Sequence, residues 1–434
     1  MRSPSYPVHR TRLRNGLRVV LSPAPGSAAV GVAVHYDVGM RSEPEGRTGF
    51  AHLFEHLMFE GSEHVPTHDH ARLIQGVGGS FNGSTHPDYT EYHQVVPPHA
   101  LERTLFLEAD RMRAPSLTEA TLRNQIDVVK EEIRVNVLNR PYGGFPWLAL
   151  PPVLFESFAN THNGYGDFVD LESSTVADAR QFFERYYAPA NAVLTIVGDF
   201  DLAEARTLVR RHFAGIPSRA VPDRPGFAEP ERTEPAYGDV ADEHAPMPAT
   251  ALGWQSPDPV GALRDYLGSV VLCDVLYDGE ASRLHREIVL EKQLAISAYA
   301  YCGMFGDPFD QRAASTVTIQ MHHADAETRA PAIAAVDEIL ADLVENGPTD
   351  AELRRVTTRM VAQLLREYDS ITERALRMGT LELLYGKAEL INDLPEMLLT
   401  VSAEQVARAA ARLTPSARAI VALDPARPRV KEGA

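Results

Sequence analysis

The sequence predicts an α+β protein of two homologous domains, each a mainly antiparallel sheet with helices covering one face. Three observations carry this. Strand-type and helix-type patterns alternate in the first half and recur, in similar order, in the second. Between them, IPSRAVPDRPGFAEPERTEPAYGDVADEHAPMP is dense in Pro, Glu and Asp and lacks periodicity, which reads as a surface linker. Finally, VADARQFFERYYAPANAVLTIVG near the end of the first half aligns with SAEQVARAAARLTPSARAIVALD near the end of the second. Pro189 falls on Pro415, and a helix, a Pro-containing turn and a closing strand are shared. The predicted organisation is a domain over 1–215, a linker over 216–248 and a second domain over 249–434.

The elements follow in order. TRLRNGLRVVLS reads as a hairpin, with Asn15-Gly16 supplying the turn. AAVGVAVHYDVG is apolar at nearly every position, as for a strand buried on both faces. GFAHLFEHLMFEG has helical spacing, with Gly61 as a stop signal. GGSFNGST and TEYHQVVP read as strands, 98–113 and 118–139 as helices, then ADARQFFERYY and NAVLTIVGDF as helix and strand. After the linker come strand TALGWQS, helix 262–277, strands near 294–302 and 314–320, long helices over 326–368 and strand ARAIVAL.

Composition narrows the function classes. Hydrophobic residues are 44% and charged residues 23%, a globular profile, and 434 residues suffice for two cores. A formal net charge of −17 argues against a nucleic-acid backbone or an anionic membrane as the main partner. MRSPSYPVHRTRLRNG has no apolar run, so no signal peptide is expected, and no window approaches the ~18 apolar residues of a membrane span. The two cysteines, Cys273 and Cys302, make no disulfide framework, so a reducing cytoplasm is expected; Cys273, in YLGSVVLCDVLY, reads as a core thiol.

The chemistry concentrates in His52-Leu-Phe-Glu-His56. At about 100° per residue, His52 and His56 lie about 40° apart and one turn removed, with Glu55 about 60° to the other side of His52. Two imidazoles so placed can both reach a zinc ion, and the carboxylate beside them can deprotonate a water there. A buried helix with two hydrogen-bonded histidines would show the same letters. Catalytic zinc needs a third protein ligand. In LRNQIDVVKEEIRVNV the apolar seam Leu122, Ile126, Val129 and Ile133 turns Glu131 into water and leaves Glu132 at the seam's edge. Gln125 is on the same side two turns earlier, able to support a ligand.

These stretches, with HLFEHLMFEGSEH, GGSFNGSTHPDYTEYHQVVP and DVVKEE taken together, resemble the insulinase/pitrilysin family of inverted zinc peptidases. The resemblance implies that His52, His56 and Glu132 ligate Zn2+ and that Glu55 is the base. It extends through the linker and the duplicated halves, and the length is similar to the short-chain branch, in which two separate two-domain chains close as a clamshell. Bacterial peptidases and relatives of mitochondrial processing peptidase belong to that branch. Family members often carry Glu where this chain has Gln125; an amide hydrogen-bonds but carries no charge. GGSFNGST, Gly-rich with small side chains, suits an extended peptide added as a further strand, and the family Asn that contacts substrate main chain maps onto Asn82.

The resemblance also implies an Arg and a Tyr in the later half that meet the substrate and the developing oxyanion. Aligning EKQLA places Val289 and Ile296 there, which can do neither. Arg286 and Tyr299 have suitable chemistry but are out of register. A homologous chain without zinc ligands is therefore the expected partner, in a heterodimer; a homodimer is the lesser expectation.

The remaining features read plainly. The Gly/Pro/aromatic stretch 141–167 suits a loop lining a chamber or flexing with closure. His64, His68 and His70 suit a surface loop, with Thr67 or Asp69 capping the next helix. His322 and His323 suit a strand end meeting solvent, and His93 faces either a cleft or water. The expected function is zinc-dependent hydrolysis of peptides or unfolded segments held extended in a closed chamber. Two alternatives are a dedicated leader-peptide maturation protease and a non-catalytic scaffold or core-like subunit; the intact HxxEH favours an enzyme.

Overall fold

The computed structural model describes residues 5–224 and 226–426. The outer ends of the two expected domains (1–4 and 427–434) and Pro225 of the expected linker lie outside the described residues. The chain forms two compact units. The first gathers the chain up to Lys130, Asn163–Gly226 and Ala362–Pro395; the second gathers Glu131–His162, Phe227–Val361 and the chain from Glu396. The division passes through the last turn of one continuous helix, Glu119–Ile133, whose body lies in the first unit. The units thus cut across the contiguous stretches 1–215 and 249–434, because residues 131–162 and 362–395 each pack with the other half.

In the first unit, strands β1 (His9–Arg12), β2 (Arg18–Pro23), β3 (Val30–Tyr36), β4 (Ser80–Thr85), β5 (Thr90–Val96) and β6 (Ala192–Gly198) form one sheet in the order β1-β2-β6-β3-β5-β4. Only β2 and β6 run parallel. Every residue of β3 is buried, matching its unbroken apolar run. Tyr36 points to the face where Tyr187 and Phe54 stack, with ring centroids 4.4 Å apart for Tyr36–Tyr187 and 4.6 Å for Phe54–Tyr187. His35 points to the opposite face, which a helix from far downstream, Ile371–Tyr385, covers. Gly379 of that helix lies against the His35 ring, where an added Cβ would come within 2.3 Å of it.

The second unit repeats the plan. Strands β7 (Ala236–Asp242), β8 (Ala249–Gln255), β9 (Ser297–Cys302), β10 (Thr316–His322) and β11 (Ala419–Pro425) pair in the order β7-β11-β8-β10-β9, again with only the β7–β11 pair parallel. Without β1, the two sheets have the same topology. The aligned repeat is visible in detail. Helices Val176–Tyr186 and Ala403–Arg412 each begin with a capping box, from Thr175 with Asp178 and from Ser402 with Gln405, and each is followed by a 3₁₀ turn and a strand.

Five expectations need correction. The 216–248 stretch is not linker throughout, since Ala236–Asp242 is β7; only its parallel pairing with β11 makes this half-exposed segment a strand. The stretch 141–167 is not all loop lining. Phe145, Leu150, Leu154 and Phe155 are buried in the second unit's core with Ala249, Ala251, Val421 and Leu423, drawn there by their apolar area. His323 does not meet solvent. Its backbone donates to Pro248 O at 2.8 Å and its ring lies 3.0 Å from Thr250 Oγ1, carrying the strand pairing one residue further. His70 is not in a loop; it is buried on the helix Asp69–Gln75 between the rings of Phe59 and Phe81, and burial pushes its pKa down to about 3. The residue capping that helix is His68, not Thr67 or Asp69.

Cys273 and Cys302 are both buried free thiols, with sulfurs 3.5 Å apart. No helix among the described residues is long and apolar enough to cross a membrane.

His35 makes the interior acid-sensitive. Burial first, and then nearby His86 and His93, push its pKa down to about 3, below the unfolded value of about 6.5. Its neutral ring therefore contributes stability above pH 6.5 that is lost as pH falls toward 3. Replacing it by His35→Gln should flatten the pH dependence, so that between pH 7 and 4 wild type loses roughly 3 kcal/mol more than the variant by urea unfolding. Parallel losses in both proteins would show that His35 titrates normally.

Candidate metal centre

The HLFEH motif lies on a short helix, Phe50–Leu57. One side of it is core: Phe54 packs against Phe182, Phe183 and Tyr187, and Leu53 and Leu57 are fully buried. The opposite side carries His52 and His56, whose rings meet edge to face with centroids 5.0 Å apart. The helix start is tied from outside. Glu43, itself buried, accepts the Gly49 N–H at 2.9 Å and the Ala51 N–H at 2.7 Å, so a carboxylate meets the positive end of the helix dipole. Gly49 is left-handed (φ +78°) and its backbone touches that of Gly166; a Cβ on Gly49 would come within 2.5 Å of Tyr165 O. This close approach sets the Tyr165 ring 5.3 Å from that of His52.

The third expected ligand comes from the helix Glu119–Ile133. Its seam is as read from the pattern: Leu122, Ile126, Val129 and Ile133 are all buried. Glu131 is exposed and pairs with Arg134 at 3.1 Å, while Glu132 is half-buried. The helix ends at Ile133 and passes into a π-helical turn, Arg134–Leu138, so the expected 118–139 helix widens just after Glu132. One potential ligand atom from each of His52, His56 and Glu132 lies within 4.8 Å of the others. Two imidazoles and one carboxylate, converging from two helices, are a donor set that fits zinc and leaves a coordination position open.

The other expected residues fall as follows. Glu55 is buried beside the histidines, and Thr85, at the end of β4, donates to its Oε2 at 2.6 Å. Gln125 is buried, with Oε1 3.2 Å from His56 Nδ1 and Nε2 donating to Glu60 Oε1 at 2.6 Å. Asn82 is exposed on β4, an edge strand of the first sheet, and is not part of the cluster. In β5, His93 is partly buried and pairs with Glu91 at 2.9 Å; burial opposes its protonation, but that carboxylate raises its pKa overall. Among the described residues a second acid/His group, Glu63, His64 and Asp110, ties the loop after the motif helix: Asp110 accepts from Ser62 Oγ at 2.6 Å and lies 2.7 Å from His64 Nδ1.

Sequence reasoning missed Glu43, Glu60, Thr85 and Tyr165. All four reach the motif through loops or a strand end, where no periodicity marks them. Only Glu60, one turn beyond His56, carried a hint, and the helix has stopped before reaching it.

Comparison with known proteins follows this geometry. The model described as Insulinase (Peptidase family M16) matches residues 18–141, and that described as Peptidase M16 inactive domain matches 173–360. The zinc protease PqqE of Helicobacter pylori is 30% identical over 69% of this chain and 68% of its own length. This chain belongs to the insulinase family of peptidases, M16. Another family relative, the uncharacterized zinc protease YmxG of Bacillus subtilis, is 26% identical over 96% of this chain and 98% of its own. Among solved structures, a protease from Helicobacter pylori superimposes with a TM-score of 0.85 at 24% identity, covering 97% of this chain and all of that one. The first half of the periplasmic protease PqqL from Escherichia coli gives 0.76 at 17% identity, over 98% and 93%. At these identities the structures speak for the fold, and they agree with the α+β two-domain architecture.

The Glu43 contacts predict a local stability effect. Glu43→Ala leaves two buried N–H groups without that acceptor and should cost about 1–3 kcal/mol. Thermal unfolding and amide exchange at Gly49 and Ala51 would read this, and an unchanged melting temperature with protected amides would contradict it.

Proposed function

We propose that the chain is a zinc metalloendopeptidase that hydrolyses peptides or unfolded segments bound in extended form. The observation that carries this is the convergence of ligand atoms from His52, His56 and Glu132 within 4.8 Å, with Glu55 on the same helix. Relatives named zinc proteases support it. A zinc ion held by these three side chains would supply Lewis-acid polarisation of the scissile carbonyl and acidify water toward a pKa of ~7.

The protein's own groups do the rest. Glu55 takes the proton of the attacking water and returns it to the leaving amine, so no covalent enzyme intermediate is needed. Thr85, by donating to Glu55 Oε2, orients that carboxylate beside the histidines. Edge strand β4 offers backbone to an extended substrate, with Asn82 at hand for its main chain. A leader-peptide maturation protease would use the same groups on one dedicated substrate. A scaffold subunit would have no use for the three-ligand cluster.

The partner reading belongs here too. Val289 is partly buried and Ile296 is exposed, and neither donates a hydrogen bond. Arg286 pairs with Glu287 at 2.8 Å, and the Tyr299 ring meets Tyr277 at a tilt and His322 edge to face, so both out-of-register candidates are engaged locally. We infer a heterodimer in which a homologous chain without zinc ligands supplies the Arg and Tyr. A cytoplasmic site of action is consistent with the two buried free thiols.

Two experiments test the reading. In the first, zinc content and turnover of a fluorogenic peptide are measured on the same samples. Glu55→Gln should keep zinc and lose turnover, by about 10²-fold or more. Glu132→Ala should lower zinc affinity, and Glu131→Ala should leave it unchanged. Full turnover in Glu55→Gln, or equal zinc loss at 131 and 132, would refute the assignments. In the second, the chain alone should hydrolyse peptides poorly, and adding the homologous chain should raise turnover by ~10²–10³ per donor supplied. The mixture should show a 1:1 mass by light scattering. Full activity from this chain alone would refute the division of labour.

A further inference from the structure

Gln125 stands between two groups of opposite demand. Its Oε1 lies 3.2 Å from His56 Nδ1, and its Nε2 donates to Glu60 Oε1 at 2.6 Å. A side-chain amide has two ends of nearly equal size and opposite hydrogen-bonding character. Rotating it by half a turn would set Oε1 against the Glu60 carboxylate, two acceptors facing each other, and would turn the NH₂ toward the imidazole. A carboxylate only accepts, so Glu60 holds the NH₂ on its own side and the carbonyl on the side of His56. Facing a carbonyl, His56 Nδ1 must carry the hydrogen, and the lone pair then sits on Nε2.

We propose that Glu60 is a positioning residue: acting through the buried amide of Gln125, it locks His56 in the Nδ1–H tautomer and so tightens metal binding at the other ring nitrogen. The inference rests on the metal-centre reading above. Ring nitrogens that ligate metals usually depend on such an outer partner for orientation and basicity. Here the carboxylate stands one side chain further out, and a neutral amide transmits its preference. Glu60 is well placed to do so. Its backbone is tied by its N–H to Leu57 O at 3.1 Å and by the Thr67 hydroxyl, which donates to Glu60 O at 2.9 Å. Gln125 is buried on the same helix that carries Glu132.

The test uses the full chain freed of metal, with Zn2+ as the probe and a chromophoric chelator as competitor. Glu60→Gln keeps the shape but replaces the carboxylate with an amide that accepts either orientation of Gln125. It should weaken zinc binding by about 10–100-fold. Adding Gln125→Glu to that variant exchanges the two groups and puts the carboxylate directly on His56 Nδ1–H; zinc affinity should return to the wild-type value or exceed it. Nitrogen-15 spectra of the histidine rings in the metal-free chain supply a second readout: one Nδ1–H tautomer for His56 in wild type and in the exchanged pair, a mixture in Glu60→Gln. Should Glu60→Gln fail to fold, the exchanged pair and wild type still give a comparison, because the inference requires equal tautomers and affinity no weaker than wild type. Unchanged affinity or an unchanged tautomer in Glu60→Gln, or further loss in the exchanged pair, would overturn the role of Glu60. Failure of the wild-type chain to bind zinc would instead overturn the metal-centre reading on which it rests.

Discussion

The rotational phase of one short helix, Phe50–Leu57, governs the polar centre of this protein. A slip of one residue turns a helix by about 100°, which would carry both histidines away from Glu132 and drive Phe54 out of the core. Two devices hold the phase. On the apolar side, Phe54 is wedged among Phe182, Phe183 and Tyr187. At the start, Glu43 grips two backbone N–H groups while Gly49 lies back to back with Gly166. Both devices lie outside the cluster's own three residues, yet they set the helix orientation on which it depends.

Much of this was legible in the sequence, for stated physical reasons. The unbroken apolar run of β3 required burial on both faces, and it has it. The seam Leu122–Ile126–Val129–Ile133 separated Glu132 from Glu131 because helix period is a strong signal over four turns. The repeat of helix, Pro turn and strand extended to the capping boxes and to the strand order of both sheets. What stayed hidden depends on partners distant in sequence. β7 is a strand because β11 lies beside it, and His323 is buried because Pro248 and Thr250 receive it. Glu60, Thr85 and Tyr165 reach the motif from loops and a strand end, which periodicity does not address.

The duplication shows how little of a fold is spent on chemistry. Both units have a parallel pair at one side, three antiparallel partners and a capped helix leading into the sheet's interior strand. Edge strand β9 occupies in the second sheet the place of β4 in the first, and β8 that of β3. The cluster of His52, His56 and Glu132 has no counterpart of the same composition among the described residues. The family model matching 173–360 is described as an inactive domain, in keeping with that asymmetry. The same scaffold thus bears two histidines on the helix after β3 and none on the helix after β8, Leu263–Tyr277.

The helix Ile371–Tyr385 bears on how the protein is born. It covers the face of the first sheet that holds His35, and Thr380 Oγ1 lies 3.4 Å from the His35 ring across 345 residues of sequence. When the last strand of that sheet leaves the ribosome, roughly 170 residues remain to be made before this cover arrives, an interval of about 10–35 s at ~5–20 residues per second. For that time the nascent chain holds a complete set of strands with the His35 face, apolar at Val20, Val193 and Val197, still bare. The half that carries the histidines therefore gains its cover only when synthesis of the other is nearly done.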